Sequence, residues 1–158
     1  MTVREATLAD VPAMVDLLER RRAAYQHYQP VFWKKAADSA EMSKAFLPFV
    51  MGKPETVALA ADQDGALLGF LIATPTPAPP VYDVPGPTYT VDDFAVAAPE
   101  HWASAGQALL SRIEAVGRQR GWAQIVVVSA LRDREKSALL ESGGLTIAST
   151  WWTLPLTT

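Results

Sequence analysis

Apolar and polar positions alternate along the chain in short blocks, and the clearest block runs from Tyr89 to Gly121, YTVDDFAVAAPEHWASAGQALLSRIEAVGRQRG. Val91, Phe94 and Val96, set among β-favouring neighbours, predict a strand. Past Pro99 and a short polar turn, Ala105, Leu109, Ile113 and Val116 recur at three- and four-residue spacing, which predicts a helix from about Ala103. Gly121 closes that helix, and Arg118 and Arg120 suit the negative end of its dipole. Gln124 to Ala130 follows, with Ile125-Val126-Val127-Val128 as a run of β-branched residues, the pattern of a strand buried on both faces in a parallel pair. Strand, turn, helix and strand make a βαβ unit, whose crossover is expected to be right-handed. Ligands of such units sit beyond the carboxyl ends of the strands, against the helix N-terminus, so function is expected there.

The flanking blocks predict the rest. Val3-Arg4-Glu5-Ala6 alternates as a first strand, and Thr7 with Asp10 has capping-box spacing before an apolar run. Pro12 fits the first turn of the next helix, with Val11, Met14, Leu17 and Leu18 as its buried stripe. Glu19-Arg20-Arg21-Arg22 reads as its solvated end. Lys34 to Val50 is expected to be helical, with Met42, Ala45, Phe46 and Phe49 on one side and Gly52 and Pro54 closing it. Thr56 to Ala61 and Ala66 to Thr74 read as strands joined by the hairpin turn Asp62-Gln63-Asp64-Gly65. The segment PTPAPPVYDVPGPT reads as an ordered loop extended by its prolines, either lining a site or forming a surface excursion. A short helix from Arg132-Asp133-Arg134-Glu135 through Leu140 is stopped by Gly143-Gly144. Leu145 to Leu154 reads as a final strand that turns Trp151 and Trp152 to opposite faces. The order β-α-α-β-β-β-α-β-α-β implies one α/β domain on a mixed sheet.

Composition narrows the function classes. The 158 residues suit one domain, and a formal net charge of -3 does not point to nucleic acid or an acidic membrane surface. Without cysteine there is no thiol nucleophile, and two distant histidines give no metal-site spacing, so no metal is expected. No apolar run approaches about 20 residues, and the start MTVREATLADVP carries charges and a proline too early for a signal peptide; a cytoplasmic protein is expected. Tyr25, His27, Tyr28, Phe32 and Trp33 crowd around Pro30. They form either a substrate-facing aromatic wall, with Tyr25, Tyr28 and Trp33 as its binding residues, or a packed corner between helices.

The order of elements, with VREATLADVPAMVDLL, DGALLGFLIA, VDDFAVAAPEHWASAGQALL and SALLESGGL in sequence, resembles the GNAT superfamily of acyl-CoA-dependent N-acyltransferases over nearly the whole chain. The resemblance implies a mostly antiparallel sheet with one parallel βαβ pair and helices on both faces. It implies acetyl-CoA as cosubstrate, held where the family has Arg/Gln-x-x-Gly-x-Gly/Ala. That motif falls on His101, Trp102, Ala103, Ser104, Ala105 and Gly106, followed by Gln107, and only the last glycine matches. The main chain of Phe94, Ala95 and Val96 would bind the acyl group and pantetheine arm, with Asp133 as a further contact. Asp92 of Asp92-Asp93-Phe94-Ala95-Val96 takes the position of a base that accepts the amine proton. Leu140 stands where the family's tyrosine acid is usual. For the Asp92-Asp93 pair, a solvated strand start or a structural carboxylate is the competing reading. The acceptor would be a small-molecule or peptide amine, and a homodimer through the final strand and its tryptophans is in keeping with the family. The degraded turn and the missing tyrosine motivate a second reading, a non-catalytic binding or interaction module with the same fold.

Overall fold

A computed structural model describes residues 1–156. Five strands form one sheet in the order β1 (Thr2–Glu5), β2 (Val57–Gln63), β3 (Ala66–Thr76), β4 (Thr88–Val96) and β5 (Gln124–Val127). All neighbours are antiparallel except β4 and β5, which run parallel. Helices α1 (Val11–Tyr28) and α2 (Ser39–Met51) cover one face, while α3 (Ala105–Gln119) and α4 (Arg134–Ser142) cover the other. Strand alternation divides the core accordingly. Phe70 and Ile72 of β3 pack with Met14, Leu18 and Leu47, whereas Leu71 and Ala73 pack with Leu109, Ile113 and Leu139.

The entry to α1 follows from three residues. The Asp10 carboxylate accepts from the Thr7 N–H at 2.7 Å and from both terminal nitrogens of Arg4 at 2.8 Å. Arg4 also donates to Asp62 on β2 at 2.7 Å, so one guanidinium ties β1, β2 and the helix start together. Fixed by these bonds, the Asp10 carboxyl lies well below the usual carboxylate range, at about 2. In the β2–β3 hairpin, Asp64 and Gly65 both take positive φ, 53° and 81°, as a two-residue type I′ turn requires.

The structure departs from the sequence pattern in five places. The helix of the second block starts at Ser39, not Lys34, and Met42, Phe46 and Phe49 are exposed; its buried side is Ser39, Ser43, Leu47 and Val50. Arg21 and Arg22 are not a solvated end, because α1 continues to Tyr28 and both guanidinia are engaged. Arg22 donates to Glu19 at 2.9 Å and to the Ser43 hydroxyl at 2.7 Å, and Ser39 donates to the same Glu19 at 2.6 Å, which decides the face α2 turns inward. The third helix starts at Ala105 after a 3-10 turn over Pro99–Ala103. β5 ends at Val127 and is an edge strand with Val126 and Val128 exposed, not one buried on both faces. Finally, Leu145 to Leu154 forms no strand, and Trp151 and Trp152 are 82% and 94% exposed, with Trp151 edge-on to Phe32.

At Gly65 an added Cβ would meet nothing within 4 Å, so substitution there tests backbone strain alone. Gly65→Val is expected to cost about 1–2 kcal/mol in urea unfolding, because a β-branched residue is forced into the left-handed region. An unchanged midpoint would mean that the hairpin adopts a different turn.

Candidate active site

β4 is bonded to β3 along its length but to β5 only over its first half. The parallel pairing runs from Thr88↔Gln124 to Val91↔Val127, and its last rung is Val128 N–H to Val91 O at 2.9 Å. Beyond it the two strands part. At the same point β4 carries a bulge: Phe94 pairs with Leu71 and Val91 with Ala73, so Asp92 and Asp93 together oppose Ile72. The bulge lets Val91 and Phe94, three residues apart, face the same core, and it delivers both aspartates to the α1/α2 side.

There they floor a cleft of about 470 Å³. Its apolar walls are Phe46 and Val50 of α2, Ile72 of β3 and Pro54, and Glu55 adds a third carboxylate. The two floor residues differ in state. Asp93 is locked by Arg21 at 3.0 Å, and that guanidinium also donates to the Asp92 carbonyl at 2.9 Å. The Asp92 carboxylate, exposed, makes no hydrogen bond or ion pair among the described residues. Lys53 at the rim lies over the Phe49 ring at 4.6 Å rather than on a carboxylate. The cleft is thus acidic, with two carboxylates unpaired among the described residues, Asp92 on a strand and Glu55 in the loop after α2, an arrangement suited to a cationic group.

Side chains enter the gap between β4 and β5 from both sheet faces. Ala97 N–H bonds Leu68 O at 2.8 Å, and antiparallel pairs alternate, so the main chain of Ala95 faces β3 while that of Phe94 and Val96 faces the gap. Lys136 of α4, fully buried, places Nζ 2.8 Å from Val128 O and 3.4 Å from Phe94 O, between the rings of Phe94 and Trp102. Burial, and then Arg21, push its ammonium down to about 7, against the opposing pull of Asp133, Asp92 and Asp93. From α1, the Tyr25 hydroxyl donates to Asp133 Oδ2 at 3.2 Å and accepts from the Ala130 N–H at 3.3 Å; burial and Asp133 push it up to about 12. The other Asp133 oxygen caps α4 by accepting from the Lys136 N–H.

No protein-family model matches the chain, and no curated protein matches its sequence. Solved structures match its fold throughout. A variant of the BH1408 protein from Bacillus halodurans superposes with a TM-score of 0.82 at 17% identity, covering 99% of this chain and 100% of that one. A protein from Clostridium acetobutylicum described as a predicted acetyltransferase, solved with acetyl-CoA, gives 0.73 at 14% identity over 98% and 96%. An aminoglycoside 6'-N-acetyltransferase from Acinetobacter haemolyticus gives 0.71 at 14% over 100% and 99%. The fold is that of the GNAT acetyltransferases.

Within the GNAT frame the expected residues separate into groups. Asp92 lines the acceptor-side cleft, but Tyr25, Tyr28 and Trp33 do not. They pack on one another, Tyr25 and Trp33 at 4.9 Å between ring centres, and Tyr25 is spent on Asp133. Asp133 is buried with both oxygens engaged in positioning α4. Around the start of α3, Ala103, Ser104 and Gln107 are exposed and no side chain caps the helix, but Ala105 and Gly106 are buried, so in its first turn only the N–H of Gln107 belongs to an exposed residue. His101 Nδ1 is buried without a partner, and the Trp102 ring turns into the core. An anion at this end would meet the exposed Ser104 and Gln107, whereas the gap beside β4 is filled by Lys136 and Trp102 and its Phe94 carbonyl is taken. Lys136 does not stand out from the pattern of apolar and polar positions. Its one signal is its place, since Lys136, Leu139 and Gly143 share one helical face with the apolar residues. No cluster of three or more metal-binding side chains occurs among the described residues.

Gly106 also changes meaning. A Cβ there would lie 2.7 Å from Trp102 Cε3 and 3.0 Å from Leu139 Cδ2, so packing demands the glycine. Gly→Ala inside a helix ordinarily gains up to about 1 kcal/mol. Here Gly106→Ala is expected to lose about 1–3 kcal/mol in chemical denaturation, from overpacking. A gain would show that Trp102 does not cover this turn in solution.

Proposed function

We propose that the protein is an acetyl-CoA-dependent N-acetyltransferase acting on a primary amine of a small molecule or peptide. The observation that carries the reading is the unpaired Asp92 carboxylate on the β4 bulge, inside an acidic cleft between α2 and strands β3 and β4 of a GNAT fold. The cleft volume, about 470 Å³, is in the range of small-ligand sites. An ammonium entering it meets Asp92, which is free, and Asp93, which Arg21 neutralises. Asp92 then accepts the ammonium proton, directly or through one water, and leaves a neutral amine against β4. Acetyl-CoA, when bound, supplies the activated acyl group. Proteins of this fold include one solved with acetyl-CoA and one named for aminoglycoside acetylation, which supports this substrate class. A second reading, a non-catalytic module, is favoured by one observation: Lys136 and Trp102 occupy the channel the arm would use.

Isothermal titration with acetyl-CoA separates the two readings. Low-micromolar binding that weakens at least tenfold in Gln107→Glu supports the first reading. That variant puts a negative charge at the open end of α3 without touching the core. Absence of binding at millimolar ligand makes the module reading the better one. Where turnover of an amine is found, Asp92→Asn is expected to lower kcat about 100-fold and to remove the acidic limb of its pH profile, with the unfolding midpoint unchanged. A profile identical to the unaltered protein's would take Asp92 out of the chemistry.

A further inference from the structure

Lys136 is an expensive occupant of its position. An ammonium removed from water costs several kcal/mol unless all its protons find acceptors. Of three N–H donors, one has a good carbonyl at 2.8 Å, from Val128, and a second has a long contact of 3.4 Å to Phe94. The Phe94 carbonyl is shared with Arg21, whose guanidinium approaches it from α1 at 3.4 Å. The groups that bear on the ammonium are therefore Arg21 against it and Asp92 and Asp93 of β4 and the α4 cap Asp133 for it, with the Phe94 and Trp102 rings as its walls. The neighbouring hydroxyl, Tyr25, is spent on Asp133. The lysine pairs the Val128 and Phe94 carbonyls, and unlike a neutral donor locked in place it can also leave: its flexible stem can carry the charge back to water.

We propose that the Lys136 side chain is a plug in the mouth between β4 and β5, which must swing out to solvent before the arm of an acyl-CoA can enter. The inference rests on the acyl-CoA reading of this site. Entry requires the space held by Nζ, which is not free while the plug is in.

Departure of the plug is coupled to a proton, with a definite sign. Inside, burial and Arg21 hold the group at about 7; in water a lysine returns to about 10.4. Between these values the plug is neutral when in and charged when out, so opening takes up one proton. Falling pH therefore favours the open mouth from about 10 down to about 7, and below 7 the effect ends because both positions are protonated. Acyl-CoA affinity should weaken as pH rises through this window, by up to about tenfold per unit.

Acetyl-CoA is the probe, titrated calorimetrically into the full chain and into Lys136→Met. At pH 8, in two buffers of different ionisation enthalpy, the unaltered protein is expected to take up close to one proton on binding and Lys136→Met none. Between pH 7 and pH 9 its affinity should fall by up to about 100-fold, while that of Lys136→Met stays level. Binding without proton uptake in the unaltered protein overturns the proposal. If acetyl-CoA binds neither protein, the acyl-CoA reading fails, and hydrogen exchange without ligand still decides the plug. The Val128 amide, last rung of the β4–β5 ladder, should then lose protection relative to amides of β3 as pH falls from 9 to 7, in the unaltered protein only. Equal pH dependence in the two proteins, or at both sites, sinks the plug as well.

Discussion

Two parallel strands that share four residue pairs and then diverge leave main-chain acceptors facing a gap, and the rest of this molecule is arranged around filling it. Buried carbonyls need partners. Here they come from side chains rather than from a strand, with Arg21 reaching in from α1 and Lys136 from α4. Those two cations draw Asp93, Asp133 and Tyr25 into one connected set that spans the sheet from one helical layer to the other. The positions of α1 and α4 are thus tied to the end of β4 by polar contacts as well as by the cores on either face.

The bulge divides this region into two compartments. On the α1/α2 side it presents a free carboxylate to an acidic cleft; on the other it keeps Phe94 in the core, where its ring walls the lysine. The acidic cleft and the lysine-filled gap are therefore separated by the thickness of one strand, with the Phe94 carbonyl at the boundary. The cleft side is open, and the other side is filled by an ammonium that burial disfavours.

Elements whose burial is decided by their own periodicity were legible in the residues. The stripes of α1 and α3, the Asp64-Gly65 turn and the Asp133 start of α4 follow from spacing and turn chemistry. Asp92 stands out differently, through the resemblance of Asp92-Asp93-Phe94-Ala95-Val96 to an acidic strand motif, and the bulge that turns it to the cleft comes only with the strand pairing. α2 shows where periodicity stops being sufficient. Met42, Ala45, Phe46 and Phe49 make a helical stripe, but so do Ser39, Ser43, Leu47 and Val50, and the bonds of Ser39 and Ser43 to Glu19 and Arg22 select the second. The tail from Leu145 alternates as a strand would, yet a strand exists only against a partner edge, and the tail does not pair with β5.

By itself, then, the sequence determined most local elements and their order, because those depend on neighbours within a few residues. Only the tertiary structure decided which face α2 buries, that Gly106 serves Trp102, that Asp133 and Tyr25 position α4, and that Lys136 fills the gap beside β4. Each of these turns on contacts between residues far apart in the chain, such as Tyr25 with Asp133 or Lys136 with Phe94, and no local pattern carries the geometry that brings them within hydrogen-bonding distance.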